Sequence, residues 1–134
     1  EYVRRKYVCR NQIKKGIAGI RDAVEYINDK HSVALMVDQR VSEGKKLSFF
    51  NKDALTTTLP AQLALKYKCD IVPIYIFRKP NNCFEMEVFD PIKVSNKNET
   101  EIDKLEISLK INKLIEQMIL RDPSQWILTH NRWK

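Results

Sequence analysis

At 134 residues the chain is long enough for one domain or a large part of one, and its 43% hydrophobic content suits a folded protein rather than a disordered one. A net charge of +7 favours polyanionic company (nucleic acid, anionic lipid headgroups or acidic proteins) without choosing among them. No window approaches the ~18 apolar residues of a membrane-crossing helix, and residues 1–10, rich in Arg and lacking an apolar core, exclude a signal peptide there. The opening has no initiator Met and starts in mid-element, so a preceding segment is expected.

Ile17, Ile20, Val24 and Ile27 share one face at helical spacing, which predicts an amphipathic helix over 17–29 ending at Asn28-Asp29-Lys30. Ser32 to Val37 (SVALMV) is a short continuous apolar run, predicting a strand covered on both faces, with Asp38 at its end. Residues 39–53 are polar and read as a loop whose apolar tip is Phe49-Phe50. A short helix is predicted over 54–68, with Pro60 in its first turn and Leu63, Ala64 and Tyr67 inward. Asp70 to Phe77 (DIVPIYIF) reads as a strand, with Pro73 arguing for an edge position or a bulge. Pro80-Asn81-Asn82 is a turn, and 83–88 is its hairpin partner. Thr100 with Asp103 resembles a capping box opening a helix over 101–120, whose inward stripe is Ile111, Leu114, Ile115 and Met118 and which Asp122-Pro123 stops. This order is α/β, and it predicts strands 32–37 and 70–77 as parallel neighbours through a right-handed crossover, with a site edge at Asp38 and Arg78. Neither repeats nor a low-complexity linker marks a domain boundary.

Several clusters carry potential chemistry, each with a plainer alternative. Asp38-Gln39-Arg40 after a buried strand can orient a phosphate or polar headgroup, or Asp38 can simply cap a turn. Thr56-Thr57-Thr58 before Pro60 suits an anion or oxyanion site at a helix start, or an ordinary cap. His130, Arg132 and Lys134 beside Trp126 and Trp133 suit phosphate binding or a membrane interface, or a solvated tail. Phe49-Phe50 either anchors its loop in the core or meets acyl chains. Cys9, Cys69 and Cys83 form no CxxC pair and stand apart from His31 and His130, so they read as reduced thiols of a cytoplasmic protein, not as a zinc site. There is no Gly-x-Ser-x-Gly, no Walker A loop, and no nucleic-acid-binding signature. The residues alone stop at a basic α/β protein, for which a non-catalytic module binding anionic membrane or nucleic acid is the competing reading.

The order of blocks is more specific. Asp38-Gln39, Gly44, Phe49-Phe50, Ala54 and Thr56-Thr57-Thr58 resemble the central region of the lipid A biosynthesis lauroyl/myristoyl acyltransferases. Leu63-Ala64, Ile71-Val72-Pro73 and Arg78 continue the pattern. Pro123-x-Gln125-Trp126 and His130-x-Arg132-x-Lys134 are similar to the family's ending, while Lys15-Gly16 and Arg21 look like its Lys-Gly … Arg segment. Ser48, Asn51, Leu59, Ser124, Leu128 and Asn131 depart from the commoner family residues.

The resemblance implies the C-terminal part of a single acyltransferase domain with a partial glycerolipid acyltransferase-like α/β fold, a mixed sheet flanked by helices. It implies acyl transfer from acyl carrier protein to a lipid A precursor at the cytoplasmic face of the bacterial inner membrane, with no cofactor, metal or nucleic acid. Its catalytic His-x4-Asp/Glu motif is expected upstream, since neither His31 nor His130 is followed by a carboxylate at that spacing. The base on that motif would deprotonate the acceptor hydroxyl. Substrate contacts are then implied for Arg21, Asp38, Gln39, Arg40, Thr56, Thr57 and Arg78. His130, Arg132 and Lys134 would be structural or bind the headgroup.

Overall fold

A computed structural model describes residues 2–14, 16–94, 98–127 and 131–133. They fall into two compact units, residues 1–34 and 35–134.

The first unit holds α1 (Tyr2–Tyr7) and α2 (Ile17–Asn28). Gly16 begins α2 at φ 93, a conformation that side chains rarely adopt. One turn later, a Cβ on Gly19 would collide with the Lys14 carbonyl oxygen, so that close approach needs glycine. The helix ends where the sequence predicts: Lys30 turns to φ 64 and the His31 N–H reaches back to the Tyr26 carbonyl at 2.8 Å. Its buried residues, however, are Gly19 and Ala23, while Ile17 and Ile20 of the expected apolar face remain exposed.

The second unit is built along one long helix. Strands β1 (Lys45–Phe49) and β2 (Lys52–Thr56) form an antiparallel hairpin, pairing Leu47 with Ala54 and Phe49 with Lys52. Helix α3 (Leu59–Tyr67) follows. A second antiparallel hairpin comprises β3 (Ile74–Arg78) and β4 (Phe84–Val88), pairing Ile74 with Val88 and Ile76 with Met86. Helix α4 (Glu101–Arg121) then spans both halves of the unit. Thr100 caps it by accepting the Asp103 N–H at 3.1 Å, the N-cap half of the box that the sequence predicts, while its hydroxyl donates to the Asp103 carboxylate at 2.6 Å.

Two apolar clusters lie along α4. In one, Ile107 packs with Ala61, Ala64, Leu65 and Val94; in the other, Ile115 and Ile119 pack with Phe49 and Ala54. Ile111 touches both. Gly44 lets the chain pass close to β2, because a Cβ there would lie 2.7 Å from the Thr56 carbonyl oxygen and 2.8 Å from its nitrogen.

Among the described residues the fold is a small α/β arrangement of four helices and two separate two-stranded antiparallel sheets, and three expectations change. Ser32 to Val37 forms no strand, and no parallel pair joins it to β3. β-branched, apolar composition favours extended backbone, but a ladder needs a neighbour, and β1 and β2 satisfy each other. Residues 45–56, read as loop and helix start, are instead the first hairpin. The helix expected from 54 begins at Leu59. Pro73 sits just before β3, its carbonyl accepting the Phe89 N–H at 3.0 Å, and Ile71 bridges Ile92 beyond it. One side of the second hairpin is apolar and open: Ile74, Ile76, Phe84, Met86 and Val88 are all more than half exposed.

Candidate functional site

Three of the residues singled out in the sequence, Asp38, Thr56 and Arg132, meet around one buried cation, the Arg132 guanidinium. Arg132 has no exposed surface, although it belongs to a polar tail. Its Nη1 donates to the Asp38 carbonyl at 3.3 Å, and its Nη2 to the Asn112 side-chain oxygen at 2.8 Å and, more weakly, to the Thr56 hydroxyl at 3.4 Å. The guanidinium lies 4.0 Å from the centre of the Phe49 ring, a cation–π contact. Nε has no hydrogen-bond partner among the described residues. Burial pulls the Arg132 pKa below its ordinary value, and the nearby Asp38 and Glu116 carboxylates act the other way.

Each partner is placed by its own element. Asn112 faces inward from the middle of α4, fully buried, and its Nδ2 donates to the Ser48 carbonyl at 3.0 Å and the Thr56 hydroxyl at 3.1 Å. That hydroxyl in turn donates to the Ala54 carbonyl at 3.2 Å. Thr56 therefore serves as the inward-facing end of β2 rather than as part of a helix start. Glu116, one turn after Asn112, accepts the Phe50 N–H at 2.7 Å. Phe50 and Asn51 both have positive φ, 50 and 58, the pattern of a type I′ turn. For a Phe this is a strained conformation, offset by that charged hydrogen bond and by ring contacts to Phe49 and Trp126. Trp133 closes the group by donating its indole N–H to the Phe49 carbonyl at 3.1 Å.

Around this core, Asp38 is half-buried, and Gln39 and Arg40 are exposed in a segment with no helix or strand. Thr57 is half-buried and its hydroxyl accepts the Leu59 N–H at 3.2 Å, so the threonine run gives α3 a local start. Arg21 is an exposed residue of α2 in the other unit. His130 and Lys134, like Lys15, lie outside the described residues.

Arg78 belongs to the second hairpin. Its main chain is held by Gln125, which accepts the Arg78 N–H at 2.7 Å and donates to the Arg78 carbonyl at 3.1 Å, as a neighbouring strand would. The same amide donates to Asp122 at 2.7 Å. The guanidinium of Arg78 donates to Asn82 at 2.8 Å, and Arg121 covers the stacked Tyr75 and Phe77 rings while pairing with Glu87. Hydrogen bonds from Ser124, then Gln125, hold the Asp122 carboxyl below its ordinary value of 3.8. They favour the charged form, so their contribution is complete above that ordinary value and fades as pH falls through the lower folded-state value. Asp122→Asn is thus expected to show its full stability deficit at neutral pH in urea titrations and to lose it in acid. A deficit of equal size at both ends would reject this assignment.

Among the described residues no group of three His, Cys, Asp or Glu could hold a metal, and no helix is long and apolar enough to cross a membrane. The three cysteines are free thiols; burial raises that of Cys69 above its usual pKa.

The structure thus gathers Asp38, Thr56 and Arg132 with Trp133, which the sequence placed beside the basic ending, and adds Asn112 and Glu116, which sequence reasoning passed over. For Asn112 a signal existed: it is polar at a position in step with Ser108, Ile115 and Ile119 on the buried stripe of α4. Arg132, expected to be either structural or headgroup-binding, has its donors turned to protein groups, which favours the structural role.

Comparison with curated proteins gives no match. A family model described as bacterial lipid A biosynthesis acyltransferase matches residues 5–134, nearly the whole chain. With its Asp38 block and its Arg132 ending joined in one core, the chain belongs to the bacterial lipid A biosynthesis acyltransferase family.

Proposed function

We infer that the chain serves the transfer of a fatty acyl group from acyl carrier protein to a lipid A precursor, a late acylation at the cytoplasmic face of the bacterial inner membrane. Family membership supports acyl transfer in lipid A biosynthesis. The observation that carries the assignment of a site is the 3.3 Å bond from Arg132 to the Asp38 carbonyl, which fixes the base of the exposed Gln39-Arg40 segment to the buried core. Arg40 offers a planar cationic fork to headgroup phosphate, and Gln39 and Asp38 offer an amide and a carboxylate to sugar hydroxyls. Arg21, Thr57, Arg78, His130 and Lys134 remain contacts implied by the resemblance. The +7 charge suits both an acidic carrier protein and a phosphorylated acceptor.

The catalytic base is assigned to a His-x4-Asp/Glu motif outside these residues, so the test uses the complete gene product. With an acyl carrier protein thioester and a tetra-acylated lipid A precursor, turnover is expected, and Arg40→Ala is expected to raise the acceptor KM roughly tenfold, the scale of one charge-assisted hydrogen bond. Transfer only to a phospholipid or mannolipid acceptor would overturn the lipid A assignment. An unchanged KM in Arg40→Ala would remove this residue from the site.

A further inference from the structure

Residues 38–40 carry three polar side chains but belong to neither helix nor strand, so something else must define their conformation. Val37, just before them, packs against the cluster around Phe49. Directly at Asp38, the Arg132 guanidinium grips the main-chain carbonyl, and the Asp38 carboxylate lies near enough to favour its charged form. Arg132 is itself aimed by Asn112, whose oxygen accepts from Nη2 while its nitrogen donates to Ser48 and Thr56. Four stretches distant in sequence, at 38, 48–56, 112 and 132, are thereby tied at one buried point.

Stability alone does not call for this arrangement. Enclosing a guanidinium carries a desolvation cost, and apolar residues of similar volume commonly pack such a space at least as well. A polar network whose partners are nearly all matched does something an apolar core does not: it selects a single conformation for every group it bonds. Here one of those groups is the base of the segment assigned above to the headgroup.

We propose that Asn112 and Arg132 are positioning residues, which act through the Asp38 carbonyl to hold residues 38–40 in the conformation that meets a phosphorylated glycolipid headgroup. Neither needs to touch substrate. Asn112 orients Arg132, Arg132 fixes the main chain at Asp38, and the carboxylate, amide and guanidinium that follow are presented together. This rests on the proposed function for its substrate, though its structural half stands without it.

The test pairs two readouts on the full-length protein: amide hydrogen exchange of a peptide covering residues 38–42, and steady-state kinetics with the lipid A precursor as varied substrate. Asn112→Ala is expected to speed exchange in that peptide about tenfold and to raise the acceptor KM by a similar factor, with kcat within about twofold, the scale of one hydrogen bond to a charged group. Asn112→Asp, which keeps an oxygen for Arg132, should return both values toward wild type. Ile107→Val, a mild lesion in the other apolar cluster, should lower the melting temperature and change neither. If Asn112→Ala does not fold, Thr56→Val removes the hydroxyl shared by Asn112 and Arg132 at nearly constant volume and should show the same pattern more weakly. Faster exchange across the whole protein, or an unchanged peptide at 38–42, would overturn the proposal. If the wild-type protein transfers no acyl group, the functional reading fails and the exchange comparison still decides the positioning.

Discussion

Phe49→Ala is expected to lower the stability of the second unit by about 4 kcal/mol, the middle of the range for a buried aromatic. The side chain has no exposed surface. Its ring meets Phe50 at 4.9 Å and both Trp126 and Trp133 at 5.8 Å between centroids, and it offers its face to Arg132. Truncation would remove the apolar contact with Ile115 and Ile119, forfeit the edge-on aromatic pairs, and leave the guanidinium without its π surface. Phe49→Leu should retain part of the packing and fall between. Urea unfolding followed by tryptophan fluorescence reads both, since two reporting indoles touch the site. A loss under about 1 kcal/mol for the alanine variant would mean that the cluster does not hold the unit together.

Arg132→Met should destabilise by about 3 kcal/mol, although methionine fits the space and avoids burying a charge. The loss comes from what stays behind: the Asn112 oxygen loses its donor and the Asp38 carbonyl loses its grip. Unmatched buried acceptors cost about 1–3 kcal/mol each. Adding Asn112→Leu removes one orphan, so the double variant should lose less than the sum of the two single variants. Losses that add within about 0.5 kcal/mol would show the two side chains to be energetically independent.

What could be foreseen in the sequence was whatever is decided locally. Helix α4 announces itself by a 3.6-residue apolar period and by Thr100 with Asp103, and both hold. The hairpin of β3 and β4 follows from two short apolar runs about Pro80-Asn81-Asn82. The first hairpin escaped because its turn residues are Phe50-Asn51 rather than the Asn-Gly expected of a tight reversal. The conformation of Phe50 depends on Glu116, far away in sequence, and no local rule contains it. The run Ser32 to Val37 shows the converse: strand-like composition cannot supply a partner. Within the site, Asp38 and Thr56 were foreseen as a strand end and a helix start, whereas their union depends on Asn112 and on a tail that folds inward. A basic, tryptophan-flanked ending suggests a surface feature; only the tertiary arrangement turns Arg132 into an interior one.

Because Ile111 belongs to both apolar clusters, α4 acts as a common axle with two sets of teeth. An α-helix advances about 100° per residue, so deleting or inserting one residue between Ile107 and Ile119 would rotate one set out of mesh with the other. Homologous chains with this architecture should therefore vary in length at the 79–83 turn and keep the spacing from Ile107 to Ile119 constant.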